Sequence, residues 1–323
     1  MRIVESTGRD DVATVYIADL GDGRLVEFVE SVQPPVPREK KWVLIVSVLL
    51  GCPVGCPICD AGEGYRGRLT EEDLFAQIDF LIRKRYPTGA VPAEKFKIQF
   101  ARMGEPAFKP SVLDVIETLP TRYDAPGFLP SVSTIAPRGC DAFFERLREL
   151  KERAFQGGRF QLQFSIHTTD PGVRERMIPT AKWRFEEIAA YGERFFAPGD
   201  RKIVLNFALA DGVPIEAGPL SDHFDPKRFL VKVTPLNPTY RASASGLTSF
   251  IDPLDPAKEY DALRAIEEAG FEVIVSIGEV EENHIGSNCG QYVSRHLLAT
   301  TSGQARARNG YSYWESSSPP PTT

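Results

Sequence analysis

The feature that most constrains this chain is a repeated exchange between two periods. Apolar runs at 43–50 (VLIVSVLL), 95–101 (KFKIQFA), 129–135 (LPSVSTI), 160–167 (FQLQFSIH), 202–209 (KIVLNFAL) and 229–236 (FLVKVTPL) read as strands. Stretches with helical spacing lie between them, clearest at 71–86, 140–154 and 182–196, and one at 255–271 leads into a further run at 271–278. Strands alternating with helices build a parallel sheet, and near-continuous Val/Ile/Leu/Phe runs suit strands buried on both faces. Six such repeats predict an α/β fold, an open, partial (β/α)6 barrel rather than the closed eightfold one. Ahead of it, 13–20 and 24–31 flank Gly21-Asp22-Gly23 as a β-hairpin. The expected division is therefore 1–40 for hairpin and Pro-rich linker, 41–295 for the barrel, and 296–323 for a flexible tail ending WESSSPPPTT.

Composition narrows the surroundings. No apolar run reaches the ~18 residues of a membrane span, so no membrane partner is expected. The start, MRIVESTGRDDV, lacks the basic and apolar regions of a secretory signal, which points to the cytoplasm. There, five cysteines across 323 residues read as metal ligands or reactive thiols before disulfides. A formal net charge of −6 argues against broad electrostatic binding of nucleic acid. Pairs such as Arg66 and Arg68, or Arg306 and Arg308, remain candidate phosphate contacts, although most charge pairs are solvated surface.

Three of the cysteines, Cys52, Cys56 and Cys59, sit in GCPVGCPICD with the spacing CxxxCxxC, directly after the first barrel strand. That is the strand end where such folds carry their chemistry. Zinc would want a fourth ligand that nothing nearby supplies, and ferredoxin runs use four cysteines. Three thiolates suit a 4Fe-4S cluster with one iron left open.

The spacing resembles the radical S-adenosylmethionine (SAM) superfamily, in which SAM occupies that open iron and is cleaved reductively. On that resemblance, Gly104-Glu105-Pro106 after the second strand binds the SAM amino group, a carboxylate facing an ammonium. Ser133, Ser165, His167 and Asn237, at later strand ends, are candidates for SAM's carboxylate or ribose; filling the barrel is their plainer reading. Ile58 departs from the aromatic residue common in the superfamily.

The segment HIGSNCGQY (284–292), with ARMGEP, FSIHTTDPGVRERMIPT and VTPLNP, is similar to the class A radical SAM methyltransferases that methylate adenine carbons of ribosomal or transfer RNA. The resemblance spans about 13–295. It implies that Cys289 carries the methyl group, a role that needs its thiolate, and that an electron donor such as flavodoxin or ferredoxin is a partner. Two departures follow. The family's further cysteine, seven residues before the first cluster ligand, is here Ile45, and Cys140 is the candidate to replace it. The helical domain that precedes the hairpin in RNA-modifying relatives has only about a dozen residues in its place. With the acidic balance, the expectation is a methyltransferase whose substrate is a small molecule or small RNA. The alternatives are a tRNA or rRNA adenine methyltransferase, a non-methylating radical SAM enzyme, and an inactive binding protein.

Overall fold

In the computed structural model, which describes residues 1–62, 64–287 and 293, the chain opens with three antiparallel strands. These are β1 (Arg2–Arg9), β2 (Ala13–Asp19) and β3 (Leu25–Ser31). β3 pairs antiparallel with β4 (Lys41–Val46), so this meander continues the main sheet. The expected hairpin is its second half, and β1 had no sequence expectation.

The expected strand 43–50 is two strands. After Val46 the side chain of Gln77 takes over from a neighbouring strand: its amide accepts from the Ser47 backbone N–H (3.0 Å) and donates to the Ser47 carbonyl (3.1 Å). Ladder pairing stops there, and β5 (Leu49–Leu50) pairs instead with β6 (Gly67–Arg68), closing the cysteine loop between them.

Helix α1 (Glu71–Arg85) follows. Thr70 and Asp73 cap each other's backbone, and acidic residues fill the first turn and basic ones the last, as the helix dipole favours. Then come β7 (Lys95–Phe100), α2 (Val112–Arg122), β8 (Phe128–Thr134), α3 (Asp141–Ala154), β9 (Gln161–Ser165), α4 (Pro171–Met177), α5 (Phe185–Phe195) and β10 (Ile203–Leu209). The chain continues through α6 (Ala217–His223), β11 (Phe229–Pro235), α7 (Tyr240–Ala244), α8 (Asp261–Glu268), β12 (Val273–Val275) and α9 (Val280–Ile285).

The sheet runs β1-β2-β3-β4-β7-β8-β9-β10-β11-β12, parallel from β4 onward, with a short seventh parallel strand beyond the six expected. Burial on both faces holds along the middle of β8 and β9 and the first halves of β10 and β11, but not for β4 and β7. Along β4 and β7, Trp42, Leu44, Val46, Phe96, Ile98 and Phe100 are buried on the helix side, with Trp42 and Phe96 stacked at 5.0 Å. Their alternates Lys41, Val43, Ile45, Lys95, Lys97 and Gln99 are half-buried on the concave side. KFKIQF is thus an alternating strand, because this side lines a groove rather than a second core layer.

The sheet curls without closing. β4 and β11 are five strand spacings apart, roughly 24 Å along a flat sheet. Thr239, four residues after β11, nevertheless meets Ile58 in the loop after β4 at 3.1 Å, so the concave side folds inward. α9 bridges the open side by packing on β1 and β2, with Arg9 to Glu281 at 2.8 Å and Ser31 to Glu282 at 3.3 Å. The meander is fastened to α1 by the nearly buried Glu30, which receives Arg85 (2.8 Å) and Lys84 (3.0 Å). No helix among the described residues is long and apolar enough to cross a membrane. Cys289, Arg306, Arg308 and the expected tail lie outside the described residues.

Candidate active site

The cysteine loop turns tightly on itself. Gly51 and Gly55 have φ of 79° and 74°, a left-handed backbone that glycine adopts without strain. A Cβ on Gly62 would stand 2.9 Å from the Gly55 Cα, so the two ends of the loop touch only because both are glycine. Cys52, Cys56 and Cys59 are half-buried and pack on Val54, Ile58, Ile135, Met177, Ile178 and Leu236. Ile58 therefore fills an apolar wall where an aromatic residue would also fit.

A second segment, absent from the sequence reading, clamps the loop from above. Arg241 donates from Nε to the Cys56 carbonyl (3.1 Å) and from Nη2 to the Gly55 carbonyl (3.0 Å). Asp60, next to Cys59, accepts from the backbone N–H of Arg241 (3.0 Å) and of Tyr240 (3.4 Å). Thr239 caps α7 and donates its hydroxyl to the Ile58 carbonyl (3.1 Å). The available signal was the N-cap pattern Asn-Pro-Thr before α7; nothing in the spacing said which loop it would meet. Asn237 is half-buried at the start of this clamp, its carbonyl accepting from the Thr239 N–H at 2.8 Å.

The Gly-Glu-Pro turn lies beneath. Gly104 has φ of 101° and a Cβ there would stand 2.5 Å from the Leu49 side chain, so the β5 segment and the turn meet only over glycine. Glu105 is buried and accepts from the N–H of Ile135 (2.9 Å) and of Ala107 (3.0 Å) and from the Thr134 hydroxyl, while Pro106 starts a short 3-10 turn. Burial pushes its carboxyl up to about 7 despite those donors. Its charge also reaches Cys52, Cys56 and Cys140, so turn, cysteine loop and Cys140 share one neighbourhood.

Cys140 is half-buried at the start of α3, where burial, Glu105 and Asp141 hold it as a thiol and Arg68 opposes them. Ser133 accepts from Gln163 (3.0 Å) and Gln99 (3.4 Å) within a polar row on the concave side. Ser165 ends β9 beside Asn206. His167 is buried with φ of 65°; its Nδ1 accepts from the Ala208 N–H (3.1 Å), which leaves the ring proton on Nε2, and burial drives its pKa down to about 4. Ile45 faces the groove between Val29 and Gln99.

The donor set fits an iron-sulfur cluster. Burial pushes the Cys52 thiol up to about 11 and the Cys56 thiol up to about 12, so neither thiolate is stable without a cationic partner. Backbone N–H groups of Val54, Gly55 and Glu105 already face the Cys52 sulfur, the environment a cluster thiolate needs. Among the described residues no three acidic, histidine or cysteine side chains are gathered tightly enough to hold a single metal ion. Thiolates on three different irons of a cubane need not be.

No family model matches the chain. It is 26% identical over 286 residues to a probable dual-specificity RNA methyltransferase RlmN of Trichormus variabilis, covering 84% of this chain and 73% of the relative. The RlmN of Halorhodospira halophila is 27% identical, with 90% and 76% covered. A probable RNA methyltransferase of Methylibium petroleiphilum is 32% identical over 212 residues, with 65% and 53% covered. The crystal structure of a radical SAM methyltransferase from Sphaerobacter thermophilus superposes with a TM-score of 0.63 at 20% identity, covering 85% of this chain and 76% of that one. In sequence this chain is similar to the radical SAM methyltransferases of the class A kind. Enzymes of that kind use a 4Fe-4S cluster and SAM, and the CxxxCxxC loop of this chain has the ligand spacing for them. The chain spans 53% to 76% of the lengths of these three relatives.

Proposed function

We propose that this radical SAM methyltransferase methylates a carbon of an RNA base. The expectation of a smaller, non-ribosomal substrate has less behind it, since the relatives named above are all described as RNA methyltransferases. The observation that carries the reading is the clamped cysteine loop stacked over the Gly104-Glu105-Pro106 turn, in a chain with those relatives. When bound, the cluster and SAM supply one-electron chemistry that abstracts a hydrogen atom.

The chain's own residues then divide the work. Cys52, Cys56 and Cys59 hold three irons. The Glu105 carboxylate receives the SAM ammonium, which returns it to the ionised state that burial alone disfavours. Ser133, Ser165, His167 and Asn237 line the mouth for the ribose and carboxylate. Cys289 holds the methyl group on its sulfur, and Cys140 stands in for the thiol that Ile45 replaces. The setting is the cytoplasm, with a flavodoxin or ferredoxin as electron source.

The test is an anaerobic methylation assay on total tRNA and rRNA with the reconstituted protein. Methyl groups in RNA from wild type, and none from Cys289→Ala, support the reading. RNA left unmodified while a small metabolite is methylated would overturn it.

A further inference from the structure

Four lysines and an arginine gather on the concave side of the sheet, below the cysteine loop. Lys41, the first residue of β4, pairs in register with Lys95, the first of β7. Lys97 follows two residues later on the same side, and Lys232 lies beside Asn206 near the middle of β11. Because the sheet curls, Lys232, Lys95, Lys41 and Arg201 all act on Lys97. The intervening strands β8, β9 and β10 present the uncharged Leu129, Ser131, Gln161, Gln163, Val204 and Asn206 in this register.

Counter-charge is scarce. Lys41 reaches the Gln33 side chain and feels Glu282, and Arg201 donates to the Gly158 carbonyl at 2.8 Å. Among the described residues no carboxylate acts on Lys95 or Lys232, whose ammonium groups feel only burial and other cations. Just before the strands that flank β11, Glu272 is already paired with Lys202 at 3.4 Å, and Glu30 of the meander is held by Lys84 and Arg85. Burial and four like charges push Lys97 down to about 7. Like charges held together in a half-buried groove weaken the fold and are explained by a ligand that neutralises them.

We propose that this concave floor is a binding site for a phosphoryl anion, held between Lys97 and Lys232 with Lys41, Lys95 and Arg201 around the rim. Compact ammonium groups approaching one point from several strands suit an anion with more than one negative charge and several oxygens, such as a phosphate ester or pyrophosphate. Lys97 stands three residues before the end of β7, roughly 10 Å below the strand ends that carry the cysteine loop. The phosphoryl group can therefore belong either to a substrate entering by the mouth or to a separate small compound. The site goes beyond the methylation reading and does not depend on it.

The experiment is calorimetric titration of the anaerobically reconstituted protein with sodium pyrophosphate at constant ionic strength, at pH 8. Wild type is expected to bind one pyrophosphate. Lys97→Met and Lys232→Met are expected to bind at least tenfold more weakly, and Lys97→Arg, which keeps the charge, to bind within about threefold of wild type. Near-UV circular dichroism checks that each variant is folded; Lys97→Met, with one repulsion removed, is expected to melt no lower than wild type. Competition by a short RNA would assign the phosphoryl group to the substrate, and binding indifferent to RNA would assign it to a separate compound; both results uphold the site. Absence of pyrophosphate binding to wild type, or equal binding by the two methionine variants, would overturn it.

Discussion

Glu27 and Arg102 form an ion pair buried on both sides, Oε1 to Nε at 2.7 Å, and together they bracket the stretch of sequence that contains Cys289. Arg102 donates to the carbonyls of Gly286 (2.7 Å) and Ser287 (2.9 Å), and the Val293 N–H donates to Glu27 Oε2 (3.2 Å). Arg102 is also two residues before Gly104. One pair therefore ties the meander, the Gly-Glu-Pro turn and both flanks of the segment proposed to carry the methyl group together. Removing one partner leaves an uncompensated charge in the interior. Arg102→Met is expected to cost about 3–5 kcal/mol in urea unfolding, with Glu27→Gln/Arg102→Met costing less than the two single changes added. A loss under 1 kcal/mol for Arg102→Met would show that the pair bears no such load.

Arg241 is expected to matter for cluster retention more than for folding. Arg241→Ala removes both donors to the Gly55 and Cys56 carbonyls and leaves the ligands themselves untouched. Loss of such outer support weakens metal binding by about 10–100-fold. Iron released to a chelator over time reads this directly, and release at the wild-type rate would remove Arg241 from the account.

Gly104 tests the close approach beneath the loop. Gly104→Ala places a Cβ 2.5 Å from Leu49 on a backbone with φ of 101°. Overpacking and strain together are expected to cost about 2–4 kcal/mol. Leu49→Ala in the same chain should recover only part of this, since the residue 49 Cβ, also 2.5 Å away, and the backbone strain remain. Full recovery in thermal melts would mean that only the outer Leu49 carbons mattered.

His167 gives a pH signature. Its folded pKa of about 4 lies below the ordinary 6.5, so between those values the unfolded chain binds the proton and the folded one does not. Stability is therefore expected to fall as pH drops from about 6.5 toward 4, and His167→Gln should flatten that part of the profile. An unchanged slope in the variant would assign the acid sensitivity to other groups.

The alternation of apolar runs and helical periods was enough to read the parallel strands and the curled sheet, because KFKIQF, FQLQFS and KIVLNFAL keep strand character in any context. What escaped was decided by distant partners. The break after Val46 depends on Gln77 reaching back thirty residues to Ser47. α2 was hidden by Pro120, which removes one N–H from inside the helix, and it forms because its Val112, Leu113, Val115, Ile116 and Leu119 are buried. At the site, the cysteines and the Gly-Glu-Pro turn carry their chemistry in their spacing. Arg241, Thr239 and Asp60 carry theirs only once the curl of the sheet brings the segment after β11 onto the cysteine loop. The lysines of the concave floor look like solvated charge in sequence and become a cluster only through curvature.

The central claim is that three thiolates of one loop hold a cluster with an iron free for SAM. Anaerobic reconstitution, with iron and sulfide analysis and electron paramagnetic resonance before and after adding SAM, measures it most directly. The account expects a 4Fe-4S cluster whose reduced spectrum shifts when SAM is added, and its loss in Cys52→Ala, Cys56→Ala and Cys59→Ala. A cluster whose spectrum ignores SAM, or one that persists without any of these three cysteines, would contradict it.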